Sequence, residues 1–251
     1  MIRHLPPYRA DAFVQGLRAC GFTVARSPAA RPHVNDVLVI WNRYGIYDQM
    51  ARAYEAAGAK VIVAENGWLG HDDKGRQFYS VALSHHNGAG TWITGDDDRF
   101  SDLRIVLEPW RKVGSHILVL PQRGIGPAGV GMPKDWLTSV TQRLRAQTSR
   151  PIRIRPHPGK LRPPLDPDLE GAWAAVTWGS GAAVSAIVRG IPVFHELEQW
   201  IGAPAARFGV ADIEQPFLGD RLPMLRRLAW HQWSVSEIAE GKPFRWLLGL
   251  Q

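Results

Sequence analysis

The residues best suited to chemistry lie in the segment AWAAVTWGSGAAVSAIVRGIPVFHE, residues 172–196. At its centre, Gly179, Ser180 and Gly181 stand between a short apolar run, 172–178, and small apolar residues at helical spacing, 182–188. A turn in that position sits at a helix N-terminus, where unpaired backbone N–H groups and the positive end of the dipole attract an anion. Ser180 can cap the helix or donate to a phosphate oxygen, and the flanking glycines permit close approach. The same turn also fits an ordinary strand-to-helix connection whose glycines serve packing alone, and by itself it leaves both readings open.

The elements that position this turn belong to two α/β series. In the first, 8–19 has the spacing of an amphipathic helix and 22–25 that of a short strand. Residues 37–41 form a continuous apolar strand, 47–57 a helix stopped by Gly58, and 60–64 a second buried strand. Two strands joined by one helix predict a parallel pair, and ligands of parallel sheets gather beyond the carboxyl ends of the strands. Asn42, Arg43 and Tyr44 after one strand, and Glu65 and Asn66 after the next, are therefore expected at a cleft. Weaker strand patterns at 79–83 and 91–94 flank the polar loop SHHNGAG.

The pattern breaks at Pro109-Trp110-Arg111-Lys112 and a second series begins. It holds a strand at 117–120, the glycine-rich loop PQRGIGPAGVGM, a helix at 133–146 with proline in its first turn, and a strand at 152–155 leading into PHPGK. The opening segment closes the series with a strand at 191–194, and Ser234-Val-Ser-Glu237 has the spacing of a capping box before a helix ended by Gly241. The expected architecture is α/β, with two Rossmann-like α/β/α halves and a cleft between them. Residues 1–112 form the first half, and 113–251 the second together with the C-terminal helices.

Composition narrows the chemistry. The 251 residues are 45% hydrophobic and 21% charged, values of an ordinary globular protein with a real core. One cysteine, Cys20, excludes an intramolecular disulfide and a cysteine-rich zinc site. No apolar run is long enough to span a membrane, and the first residues lack the hydrophobic segment of a signal peptide, so a cytoplasmic protein is expected. The net charge of +7 invites a nucleic-acid partner, duplex DNA included. The excess is spread, however, and much of it falls in Arg150, Arg153, Arg155, Lys160 and Arg162 beside the candidate anion turn. A charged small molecule accounts for it equally well.

Three stretches of the second half, LVLPQRGIG, RPHPG and TWGSGAAVSAIVRGIPVF, together resemble the donor-binding domain of GT-B glycosyltransferases. A histidine-proline pair followed by a serine-bearing helix N-terminus looks like the arrangement in bacterial sialyltransferases, Kdo transferases of capsule synthesis and polyol-phosphate polymerases. Nearly the whole chain is also similar to uncharacterised glycosyltransferase-like proteins of tailed phages and prophages, through VLVIWNRYG, IVAENGWLG, HHNGAGTW and LPQRGIGP.

The resemblance implies transfer of a sugar from a nucleotide-sugar co-substrate to an acceptor hydroxyl, with no other cofactor and no metal. His157, with Ser180 and the Gly181 amide, would hold the donor phosphate, and Arg123 with Gly124 in the glycine-rich loop joins them. Trp178 could stack on the base, unless it serves the core, and Glu196 could bind ribose hydroxyls. Glu65 leads as general base, because a carboxylate after a buried strand can have its pKa raised by an apolar cleft. His86 is the runner-up, and Asn42, Arg43, Tyr44 and Asn66 would position the acceptor. That acceptor is either a hydroxymethylated pyrimidine of phage DNA or a surface or capsular glycan served by a CMP- or CDP-linked donor. A non-catalytic nucleotide-sugar-binding protein is the alternative of a different class.

Overall fold

The computed structural model describes residues 9–92, 94, 95, 98–126, 128–157 and 164–250. The chain divides into two compact units, one made of Met1–Leu103 with Arg226–Gln251 and the other of Arg104–Leu225.

The first unit opens with α1 (Ala10–Ala19), whose face of Phe13, Gly16 and Leu17 is buried. Residues 22–25, expected as a strand, have no regular structure. Then follow β1 (Val37–Trp41), α2 (Ile46–Ala56), β2 (Lys60–His71), β3 (Gln77–Leu83) and the single turn α3 (Arg99–Asp102). β1 and β2 pair in parallel from Val37↔Lys60 to Trp41↔Ala64, as their apolar runs require. β2 does not stop there. It continues to His71 and turns through Asp72–Gly75 into antiparallel β3, with Asp72 accepting from the Lys74 and Arg76 N–H groups in the turn. In the weaker pattern at 91–94, where Ile93 lies outside the described residues, Thr91 forms a bridge to Leu83.

The second unit contains β4 (His116–Leu120), α4 (Trp136–Gln147), β5 (Ile152–Ile154), α5 (Asp166–Leu169), β6 (Ala172–Thr177), α6 (Ala182–Val188), β7 (Val193–His195) and β8 (Arg207–Phe208). All its strands are parallel and their order is β5-β4-β6-β7-β8. β4 and β6 are buried at every position, as strands covered on both faces must be. One face packs Ile117, Val119, Ala174 and Val176 against Trp136, Val140 and Leu144 of α4. Strand alternation turns Leu118 and Ala175 to the other face, and α6 buries Ala183, Val184, Ala186 and Ile187.

Helix α7 (Leu222–Trp230) carries the chain from the second unit back to the first, where β9 (Gln232–Trp233), α8 (Val235–Ala239) and α9 (Lys242–Leu248) follow. The boundary therefore falls at Leu103 instead of 112, and the C-terminal helices belong with the first half. The reason is an unfilled edge. β9 pairs with β3 through Tyr79↔Trp233 and Ser80↔Gln232, completing the order β1-β2-β3-β9. α8 then lies on α1 so closely that a Cβ on Gly16 would run into the Ile238 carbonyl. The Ser234–Glu237 capping box forms as its spacing predicts. Phe13, Ile62, Ala64, Val81, Trp233 and Phe244 make the core under α1, α8 and α9, while Leu38, Ile40, Val61, Val63 and Tyr54 make that under α2. The first sheet is thus mixed and covered by helices on both faces, while the second is wholly parallel.

Candidate functional site

In the second unit the chain runs from β4 outward to β5, then returns past β4 to β6. A parallel sheet opens a crevice where its strand order reverses, just beyond the carboxyl ends of the two diverging strands. Those ends are Leu120 and Thr177, and two contacts join them. The Thr177 hydroxyl donates to the Leu120 carbonyl at 2.9 Å, and Gln122 Nε2 donates to the Gly179 carbonyl at 3.1 Å. Neither residue stood out in the sequence. A threonine and a glutamine immediately after apolar runs, each followed by a glycine loop, were the available signal.

The Gly179-Ser180-Gly181 turn rims this crevice. Thr177 Oγ1 accepts the Ser180 N–H at 2.9 Å, and Ser180 Oγ accepts the Ala182 N–H at 3.2 Å, so Ser180 retains its own hydroxyl proton as a donor. Gly179 is buried, and a Cβ there would come within 2.7 Å of Leu197 Cδ2, so this glycine serves packing. Gly181 is the residue before the first turn of α6. The loop after β4 is wound tightly: Gly124 has φ +67°, and a Cβ on it would meet the Met132 carbonyl at 2.9 Å. Arg123 stands exposed on that loop. His157, beyond β5, is pushed below its ordinary pKa by partial burial and, to a lesser extent, by the Arg123 charge. Pro158, Gly159 and Lys160 of the PHPGK stretch lie outside the described residues. Arg123, His157 and Ser180 thus follow three adjacent strands at one end of the sheet.

Two residues expected at the donor, Trp178 and Glu196, already have protein partners. Trp178 donates through Nε1 to the Val130 carbonyl at 2.9 Å and packs edge-on against Trp136, tying down the glycine loop. Glu196 receives Trp136 Nε1 at 2.7 Å and Arg143 Nη2 at 2.8 Å. Burial alone would raise the Glu196 carboxyl, but Arg143 and Trp136 outweigh it and hold it below the ordinary value. Its occupied oxygens bind α4 to the end of β7, an ion pair that residue spacing could not announce.

In the first unit Glu65 is not at the end of its strand, because β2 runs on; it is one residue past Ala64, the last partner of β1. Asn42 donates its N–H to the Ala64 carbonyl at 3.0 Å, so Asn42, Glu65 and Asn66 do stand beyond the carboxyl end of β1. Asn42 has φ +56°, and its Oδ1 is buried with no hydrogen-bond partner among the described residues. Tyr44 is 40% exposed. Arg43 turns inward instead. It is 8% exposed, forks onto Glu55 at 2.6 and 2.8 Å, and also meets Asp48 at 2.8 Å and the Ser84 carbonyl at 2.5 Å. His86 Nδ1 accepts the Arg43 N–H at 3.2 Å, and burial, reinforced by the charges of His85 and Arg43, holds the ring down to about 3. With Nδ1 occupied and the ring neutral, His86 supports the loop and has no free basic nitrogen on that side. Among the described residues no cluster of three or more His, Cys, Asp or Glu side chains is arranged to hold a metal. No helix among them is long and apolar enough to cross a membrane.

Against solved structures, the chain is similar to the β-Kdo 2,7 transferase of Thermosulfurimonas dismutans KpsC, with a TM-score of 0.54, 14% identity and 86% of each chain covered. The chain has a glycosyltransferase-like fold. The β-Kdo 2,4 transferase of the same KpsC is a second neighbour, at a TM-score of 0.51 and 12% identity over 77% of this chain and 79% of that one. No protein-family model and no curated protein matches the sequence. At such identity the likeness concerns architecture: a glycosyltransferase-like fold of two helix-covered sheets, the second wholly parallel, accounts for the reversal crevice and its glycine loops.

Proposed function

We propose that the protein is a glycosyltransferase that moves a sugar from a nucleotide-sugar donor to an acceptor hydroxyl. The observation carrying this reading is the grouping of Arg123, His157 and the Ser180 hydroxyl beyond adjacent strands at the order reversal. Developing negative charge on a leaving phosphate is met there by a guanidinium, a hydroxyl donor and the Gly181 end of α6. The acceptor oxygen attacks the anomeric carbon, the bond from that carbon to the donor phosphate breaks, and the phosphate keeps the electron pair. Glu65 takes the acceptor proton, with Asn42 and Asn66 beside it. The mechanism needs no metal, so turnover is expected to survive EDTA.

The first acceptor reading is a surface or capsular glycan served by a CMP- or CDP-linked donor, in keeping with Kdo transferases among the fold neighbours. The charge of +7 is compatible with the second acceptor, a hydroxymethylated pyrimidine of phage DNA, in which case the protein would act in the host cytoplasm.

Thermal-shift screening against UDP-, GDP-, CMP- and CDP-linked sugars tests the reading. A donor at a hundredfold excess over its dissociation constant adds about 2.7 kcal/mol of stability. No shift with any donor overturns the proposal, and a shift without turnover on either acceptor class identifies a non-catalytic binding protein. Salt-sensitive retention on duplex DNA separates the two acceptors.

A further inference from the structure

The first unit holds a cluster that none of the chemistry above uses. Trp92 stacks on His231 with ring centres 3.9 Å apart and planes 22° from parallel, and Trp68 leans on Trp92 at 5.3 Å and 53°. The backbone seats these rings firmly. Gln232, 1% exposed, accepts the Trp68 and Leu69 N–H groups at 3.0 Å each, while Leu83 and Thr91 exchange two backbone bonds beside Trp92. The Val81 N–H donates to the His231 carbonyl, so Trp92 and His231 follow one another along the edge of β3.

Both tryptophans are half-buried and keep part of their surface in solvent. His231 is 3% exposed, and neither ring nitrogen has a hydrogen-bond partner among the described residues. Burial holds the ring neutral, with a pKa of about 3. A buried imidazole with two unpaired nitrogens is destabilising where phenylalanine would stack without that penalty, so the residue type calls for a ligand that brings hydrogen bonds. A neutral imidazole offers one donor and one acceptor. A pyranose ring has the matching chemistry, with an apolar C–H face for the electron-rich faces of tryptophan and hydroxyls that both donate and accept. The adjoining cross-strand row of Glu65, Ser80 and Gln232 brings the leading base candidate onto the same part of the sheet.

We propose that Trp68, Trp92 and His231 form a saccharide platform that receives a pyranose unit of the acceptor. It rests on the glycosyltransferase reading and adds the acceptor class to it. The test is a tryptophan-fluorescence titration of the full chain with glucose, galactose, N-acetylglucosamine, Kdo and their methyl glycosides, beside a single-stranded oligonucleotide containing hydroxymethylcytosine. Saturable quenching by at least one sugar is expected, weakened tenfold or more in Trp92→Ala and Trp68→Ala while the donor-induced thermal shift is unchanged. His231→Phe keeps the stack, leaves the melting temperature unchanged or raises it, and weakens sugar binding severalfold. Quenching by no sugar, quenching by the oligonucleotide alone, or sugar binding untouched in both tryptophan variants overturns the platform. A missing donor shift with quenching intact overturns the transferase reading and leaves the platform standing.

Discussion

Gln122 Nε2 and the Gly179 carbonyl lie 3.1 Å apart, joining the glycine loop after β4 to the turn after β6. The two segments that rim the order-reversal crevice are thereby held to one another by a side chain that need not touch the donor. Such a bond contributes about 0.5–1.5 kcal/mol net. Gln122→Ala is therefore expected to weaken donor binding by roughly two- to tenfold in isothermal titration, with the fold intact by circular dichroism. Unchanged donor affinity would show that the loops keep their places without the bond.

Arg43 tests whether the first loop touches the acceptor or merely supports it. Its guanidinium is held by Glu55, Asp48 and the Ser84 carbonyl, and its side chain is 10% exposed. Arg43→Ala strands partly buried carboxylates and is expected to lower the unfolding free energy by about 3 kcal/mol in urea titrations. Arg43→Lys restores only part of the loss, since an ammonium cannot fork onto Glu55. A normal unfolding midpoint combined with a raised acceptor KM would instead assign Arg43 to substrate.

His86 and His231 make stability depend on acid. Each ring is pushed from 6.5 to about 3 by burial, so the folded state takes up fewer protons than the unfolded one. Stability from these groups is complete above the unfolded value near 6.5 and is lost as the pH falls toward about 3, at about 1.4 kcal/mol per unit for each ring. Unfolding free energies measured between pH 7 and pH 4 should fall accordingly. His231→Phe should flatten the slope by one ring's share, and an unaltered slope would count against the burial of that imidazole.

Glu196 separates a ribose ligand from a structural ion pair. With both oxygens engaged by Trp136 and Arg143, Glu196→Gln is expected to cost about 1 kcal/mol of stability, discounted because Arg143 is partly exposed. Donor affinity should stay within about twofold. A tenfold loss of donor affinity without a thermal penalty would return Glu196 to the ribose.

Gly16→Ala probes the return of the C-terminal segment. A Cβ there collides with the Ile238 carbonyl, which is backbone and cannot rotate away. Separating α1 from α8 exposes the core around Phe13 and Phe244, and a loss of about 2–4 kcal/mol is expected in chemical denaturation. Wild-type stability would mean that α8 does not sit on α1.

Local order alone determined much of this protein. The apolar runs of β1, β4 and β6 need burial on both faces, Ser234 and Glu237 cap their helix across three residues, and the glycines of the 179–181 turn stand at a strand-to-helix junction whatever lies around them. Tertiary structure decided what depends on distant partners. β2 could run past Ala64 because β3 folds back on it, and the C-terminal helices joined the first unit because β3 presented an open edge. Arg43, Trp178 and Glu196 looked like ligands in sequence, where a charge or a ring has no visible partner. Their partners, from five residues to sixty away in the chain, tie them to the fold. The Trp92–His231 stack joins residues still further apart, since ring contacts follow from the pairing of β3 with its edge strands and carry no mark of their own in the sequence.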